Sequence, residues 1–130
     1  MTTIEFLNNW GTIIKSNTSM KEGMITVMVA YPNSEGSTFD KDYYKNTHLP
    51  MAMEKIGPAL KGLMLEFGVA GGAPGADASF ASLATMYFDT IEDFQENFGP
   101  HAGEIMADLP NFTNSEPTIQ ISEIAMIAAG

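Results

Sequence analysis

Apolar positions recur along this chain with two different periods. Within residues 2–15, Ile4, Leu7, Trp10 and Ile14 come three or four apart, with Glu5, Asn8 and Asn9 between them. That is the spacing of an amphipathic helix, weakened by Gly11 by roughly 1 kcal/mol relative to Ala. Residues 16–23 (SNTSMKEG) are small and polar and read as a linker. Residues 1–22 are therefore expected to be an N-terminal helical extension, separable from a domain at 24–126. In that domain, residues 24–31 (MITVMVAY) and 80–88 (FASLATMYF) are almost wholly apolar, which predicts strands buried on both faces. Residues 63–69 and 118–126 predict two further strands, and the Gly/Ala/Pro-rich stretch 70–79 a loop. The first helix is expected from Thr38 or Phe39, capped by Ser37 or Thr38, with a kink or break at Pro50. A second helical stretch, 51–56, stops at Gly57-Pro58. Asp89 or Thr90 can cap the next helix, whose first turn holds Glu92 and Asp93 where the helix dipole favours them. Gly99-Pro100 ends it, and a short helix, 101–107, follows.

The order after the extension is βαββαβ. This predicts an α+β, ferredoxin-like domain: a four-stranded antiparallel sheet with its first and third strands central and both helices on one face. The other face is predicted to be apolar and so to need a cover. A second copy of the sheet supplies one, giving a homodimer with a barrel-like core, a dimeric α+β barrel.

Composition narrows the function. The 130 residues suffice for one domain beyond the extension, and 45% of them are hydrophobic, enough for a core. All six basic residues are Lys, against sixteen acidic ones, for a net charge of −10. That balance disfavours nucleic acid and anionic membrane surfaces, and without Arg there is no fork for a phosphate or carboxylate. The absence of Cys removes disulfides, thiolate metal sites and Cys nucleophiles. No apolar run reaches the roughly 20 residues of a membrane span, and no secretory leader is visible, so a cytoplasmic protein is expected. There is no P-loop, no G-x-G-x-x-G and no G-x-S-x-G. His48 and His101 lack ligand-spaced partners. Neither a metal nor a cofactor is expected.

Tyr44 and His48 lie four residues apart, with Asp40 one turn earlier, so the three can form a polar row on one helix face. Histidine exchanges protons near neutral pH, although spacing alone favours a structural histidine bonded at a helix end. Glu66 and Glu123 interrupt apolar strands, as edge-strand charges or as polar groups in a cavity wall. The ten Met residues are core filler or adaptable pocket walls.

Three blocks carry a resemblance. Ala30-Tyr31-Pro32-Asn33, Gly36, Phe39-Asp40, Asp42-Tyr43-Tyr44 and Thr47-His48-Leu49-Pro50 form the first, Phe88-Asp89 with Phe94 the second, and 107–113 (ADLPNFT) the third. Over about 24–126 the chain resembles the EthD family. The resemblance implies a ferredoxin-like subunit of a dimeric α+β barrel. It also implies oxidoreductase-type or cofactor-free cyclase or isomerase chemistry in catabolism, and a cytochrome P450-type system as a working partner. The ligand would be a small hydrophobic or aromatic molecule, either transformed or merely bound and delivered. His48 is then the proton-transfer group, supported by Tyr44 and Asp108. Tyr31, Asp40, Phe88 and Phe112, with Met51 just beyond the first block, are expected around the ligand. A haem-handling variant of the barrel would take His48 or His101 as axial ligand.

Overall fold

A computed structural model describes Glu5–Leu7, Ile13–Lys15 and residues 20–128. The first two segments, β1 (Glu5–Leu7) and β2 (Ile13–Lys15), pair antiparallel with each other, Phe6 opposite Ile14. The helix expected over 2–15 is therefore not formed there. The β-branched pair Ile13-Ile14 favours strand, and Asn8, Asn9 and Gly11 between the two segments are turn formers. The remainder of 1–19 lies outside the described residues.

The domain follows the expected order. Strands β3 (Ile25–Pro32), β4 (Gly62–Phe67), β5 (Phe80–Phe88) and β6 (Thr118–Glu123) form one antiparallel sheet in the order β4-β5-β3-β6. The two most apolar strands are central. In β5 every second side chain is buried: Ser82, Ala84, Met86 and Phe88 pack under the helices beside Tyr31, Val29, Val27 and Ile25 of β3. This correction to the both-faces-apolar reading follows from the period-2 pleat. The opposite face carries Met28, Met64, Leu83 and Tyr87 interspersed with Thr26, Thr85, Thr118, Gln120 and Glu66. It is mixed rather than wholly apolar.

The first helix begins with α1 (Lys41–Tyr43), capped by Asp40 rather than by Ser37 or Thr38: the Asp40 carboxylate accepts from the Tyr43 N–H at 3.0 Å. It continues through a π-helical turn, Tyr44–His48, into α2 (Leu49–Ile56), so of the kink or break expected at Pro50 the chain shows no break but a widened turn just before it. Proline lacks the N–H that the Asn46 carbonyl would accept in an α-helix, and its ring crowds that carbonyl. The chain widens by one residue instead, and the Leu49 N–H donates to the Tyr44 carbonyl. Gly57, at φ 78°, ends the helix in a conformation that side chains other than glycine's rarely adopt. A second helical run comprises α3 (Ile91–Phe98), capped by Thr90, a 3₁₀ turn at Gly99–His101 and α4 (Ala102–Ala107).

Two clusters make the core. Tyr31, Tyr44, Leu49, Ala84 and Phe112 pack with Phe39 and Tyr43 at one end of the sheet. Val27, Ile56, Met86 and Phe88 pack with Phe94 and Phe98 at the other.

Candidate functional site: a buried histidine–aspartate pair

The segment after α4 is stitched to the start of α1. Asp40 N–H donates to the Phe112 carbonyl at 2.7 Å, Thr113 Oγ1 to the Thr38 carbonyl at 2.8 Å, and Thr38 N–H to Asn114 Oδ1 at 2.9 Å. A 3₁₀ turn, Leu109–Asn111, then holds Asp108 beside the π turn. His48 and Asp108, sixty residues apart in sequence, thereby meet at 2.9 Å, Nδ1 to Oδ2.

His48 is buried, with 4% of its surface exposed. Its ring stacks on Tyr44 at 5.4 Å between centroids and lies against Phe112 at 4.6 Å. Asp108 Oδ1 accepts from the Tyr43 hydroxyl at 2.7 Å and from Asn111 Nδ2 at 2.8 Å. Burial opposes ionisation of Asp108, but the hydrogen bonds from Asn111, His48 and Tyr43 outweigh it and hold the carboxyl below its ordinary range. A carboxylate at Nδ1 fixes the neutral ring as the Nδ1–H tautomer. Burial then pushes His48 below its ordinary 6.5, which the Asp108 hydrogen bond and charge only partly offset. At neutral pH the ring therefore presents an unprotonated Nε2, for which no described residue supplies a hydrogen-bond partner.

His48 borders a cavity of about 40 Å³ between the helices and the sheet. Its walls include Val29, Ala84, Met86, Phe98, Ile105 and Ile119, and the lining side chains that carry a polar group are His48, Tyr31 and Tyr44. Met106 and Ile119, 38% and 47% exposed, flank the side nearest the β6 edge. Burial pushes both tyrosine hydroxyls well above their ordinary range, and for Tyr44 the neighbouring Tyr31 adds to the effect.

Of the residues expected at the site, His48, Tyr44, Tyr31, Asp108 and Phe112 come together. Of these five, Tyr31, Tyr44 and His48 line the cavity, while Asp108 and Phe112 back the His48 ring from outside it; the other three stay apart from the group. Asp40 is spent on the α1 cap: its extended backbone places it ahead of the helix, and its carboxylate turns to the Tyr43 N–H. Met51 lines a groove on the outer side, with Tyr43, Thr47, Lys55, Glu104 and Asp108. Phe88 is sealed in the second core cluster. Sequence reasoning missed Tyr43 and Asn111 as partners of Asp108; the one local signal was Asn111 standing three residues beyond it. Among the described residues no cluster of three metal-ligating side chains occurs, and no described helix is long and apolar enough to cross a membrane.

The EthD domain family model matches residues 36–116, more than half of the chain. The chain belongs to the EthD family. The solved structure of an EthD-like protein from Ralstonia eutropha JMP134 is 37% identical at a TM-score of 0.78, covering 84% of this chain and 98% of that one. An ethyl tert-butyl ether d (EthD) family protein from Bacillus halodurans C-125 is 26% identical at a TM-score of 0.54, covering 77% and 97%. No curated protein matches the sequence. The EthD match contains the whole polar network of Tyr43, Tyr44, His48, Asp108 and Asn111. Tyr31 and Ile119, both at the cavity, fall outside it.

Proposed function

We propose that this EthD-family protein is a cofactor-independent proton-transfer enzyme acting on a small, largely apolar molecule, with His48 Nε2 as the general base. The observation that carries the reading is the 2.9 Å pairing of His48 Nδ1 with Asp108, which leaves the opposite ring nitrogen at an apolar cavity. Asp108 orients the ring and stabilises the imidazolium formed when Nε2 takes a proton; such a base supplies ~10²–10⁴ in rate. Phe112 and Tyr44 hold the ring plane. The ether in the name of the Bacillus halodurans relative is a small, neutral molecule of the kind these walls suit.

Native mass spectrometry of the freshly purified protein, followed by turnover of any retained molecule, tests this. His48→Ala and Asp108→Asn are expected to remove turnover while leaving the fold intact. Stoichiometric retention with no changed product would instead make this a binding and delivery protein. The same reading has a second copy covering the helix-free sheet face, where Met28, Met64, Leu83 and Tyr87 supply the apolar area.

A further inference from the structure

We infer that the cavity's substrate is a neutral carbonyl compound with an acidic α C–H, its oxygen held by the Tyr31 and Tyr44 hydroxyls while His48 takes the proton. This rests on the proton-transfer reading above and adds the substrate class and two donors. No Lys borders the cavity and the chain contains no Arg. A carboxylate or phosphate would enter an apolar space with no cation to pair it, at a large desolvation cost. The ligand is therefore neutral.

The two tyrosines set what it carries. Among the described residues neither hydroxyl has a hydrogen-bond partner, yet the sealed and unpartnered side-chain oxygen is that of Ser82, not of either tyrosine. Both phenols border the cavity, with ring centroids 5.5 Å apart, and Tyr44 stacks on the His48 ring. Burial keeps both hydroxyls protonated, as donors. Two neutral donors beside one neutral base complement an acceptor oxygen next to an acidic hydrogen.

The step balances within the site. Nε2 takes the α-proton; the C–H pair becomes the new C=C bond, and the carbonyl π pair moves onto oxygen, where the two O–H groups stabilise the enolate. The imidazolium then returns its proton to carbon, at the same or the conjugated position, with no electron donor or acceptor needed. At about 40 Å³ the cavity is smaller than such a carbonyl compound, so binding requires the unbranched Met86 and Met106 thioethers at its wall to give way.

The test uses the full chain and 2-butanone in D₂O at pH 7.5, with loss of the α-hydrogen signals followed by NMR. The native protein is expected to accelerate exchange and His48→Gln to return it to the buffer rate. Tyr31→Phe and Tyr44→Phe are each expected to slow it by at least tenfold, towards the ~10²-fold typical of a lost oxyanion donor, with the His48 ring signals unmoved. Exchange at the buffer rate in the native protein overturns the carbonyl assignment, whereas the dyad reading stands or falls separately on the Asp108→Asn turnover. Exchange that needs His48 but survives both Tyr→Phe changes overturns the role of the hydroxyls. Butyrate binding as well as butanone would overturn the neutral-ligand requirement. Should a Tyr→Phe variant fail to fold, 3-fluorotyrosine at positions 31 and 44 gives a readout in a near-native chain: fluorine signals that shift with butanone support the assignment, and unmoved signals overturn it.

Discussion

His48 is held neutral by burial against the pull of a carboxylate, and this has a consequence for stability. Its folded pKa lies below the unfolded value of 6.5, so the unfolded chain binds the extra proton more readily. Stability is then fully present above about pH 6.5 and falls as the pH drops from there through the folded value. Asp108, also lowered, adds a second loss further into acid. The midpoint of urea unfolding is expected to drop between pH 7.5 and 5.5, and to drop less in His48→Gln, which has no such proton to exclude. A second test at this scale concerns Ser82, fully buried opposite Tyr31 with an orphan hydroxyl. Removing a sealed, unpartnered polar group relieves its desolvation cost, so Ser82→Ala is expected to raise unfolding stability by about 1 kcal/mol, read from the denaturation midpoint. Tyr44 and His48 were legible as a pair because their spacing is local. Asp108 was legible through the resemblance alone, and Tyr43 and Asn111 not at all as its partners, because that meeting depends on hydrogen bonds between the 36–40 and 112–114 segments.

At the level of elements, the π turn sets the register on which the dyad depends. Pro50 removes the one N–H that would let the turn close as an α-helix. Pro50→Ala restores it, and the segment is expected to relax towards α geometry, withdrawing the His48 ring from Asp108. The fold should persist, since the Asp40 cap and the apolar face of α2 remain, but turnover is expected to fall at least tenfold and the low-field Nδ1 proton signal to vanish. The sequence showed that Pro50 would disturb the helix without showing how, because a kink, a break and a widened turn share that signal. The bounds of β5 were legible residue for residue, since a run of apolar and β-branched side chains between turn formers has few other uses. The N-terminal spacing misled because apolar residues three or four apart also arise when two short strands, here Glu5–Leu7 and Ile13–Lys15, pair with each other.

For the whole molecule, the mixed composition of the helix-free face sharpens the expectation of a dimer. Its apolar contribution is concentrated on Met28, Met64, Leu83 and Tyr87, so the interface should be sensitive to one charge placed among them. Sedimentation is expected to give twice 14.0 kDa for the native chain at micromolar concentration and the monomer mass for Leu83→Lys. A native monomer would show that the face is stable uncovered. The four-stranded sheet and its helices all lie between Ile25 and Glu123. Deleting residues 1–22 is accordingly expected to leave the unfolding midpoint within experimental error.

The His48 ring divides the polar network on its Nδ1 side from the cavity on its Nε2 side, and this division shapes how such a protein can diversify. The His48–Asp108 pair and its partners are confined to the 43–48 and 108–111 segments, which are fixed by hydrogen bonds between the 38–40 and 112–114 stretches. The cavity walls are drawn from separate pieces of chain: Val29, Phe98, Met106 and Ile119 come from β3, α3, α4 and β6. Exchanging one of them reshapes the space a ligand fills without touching the base. On the proposed reading, ligand preference can therefore change while the base stays put, and a library varied at those four positions is a direct route to altered selectivity.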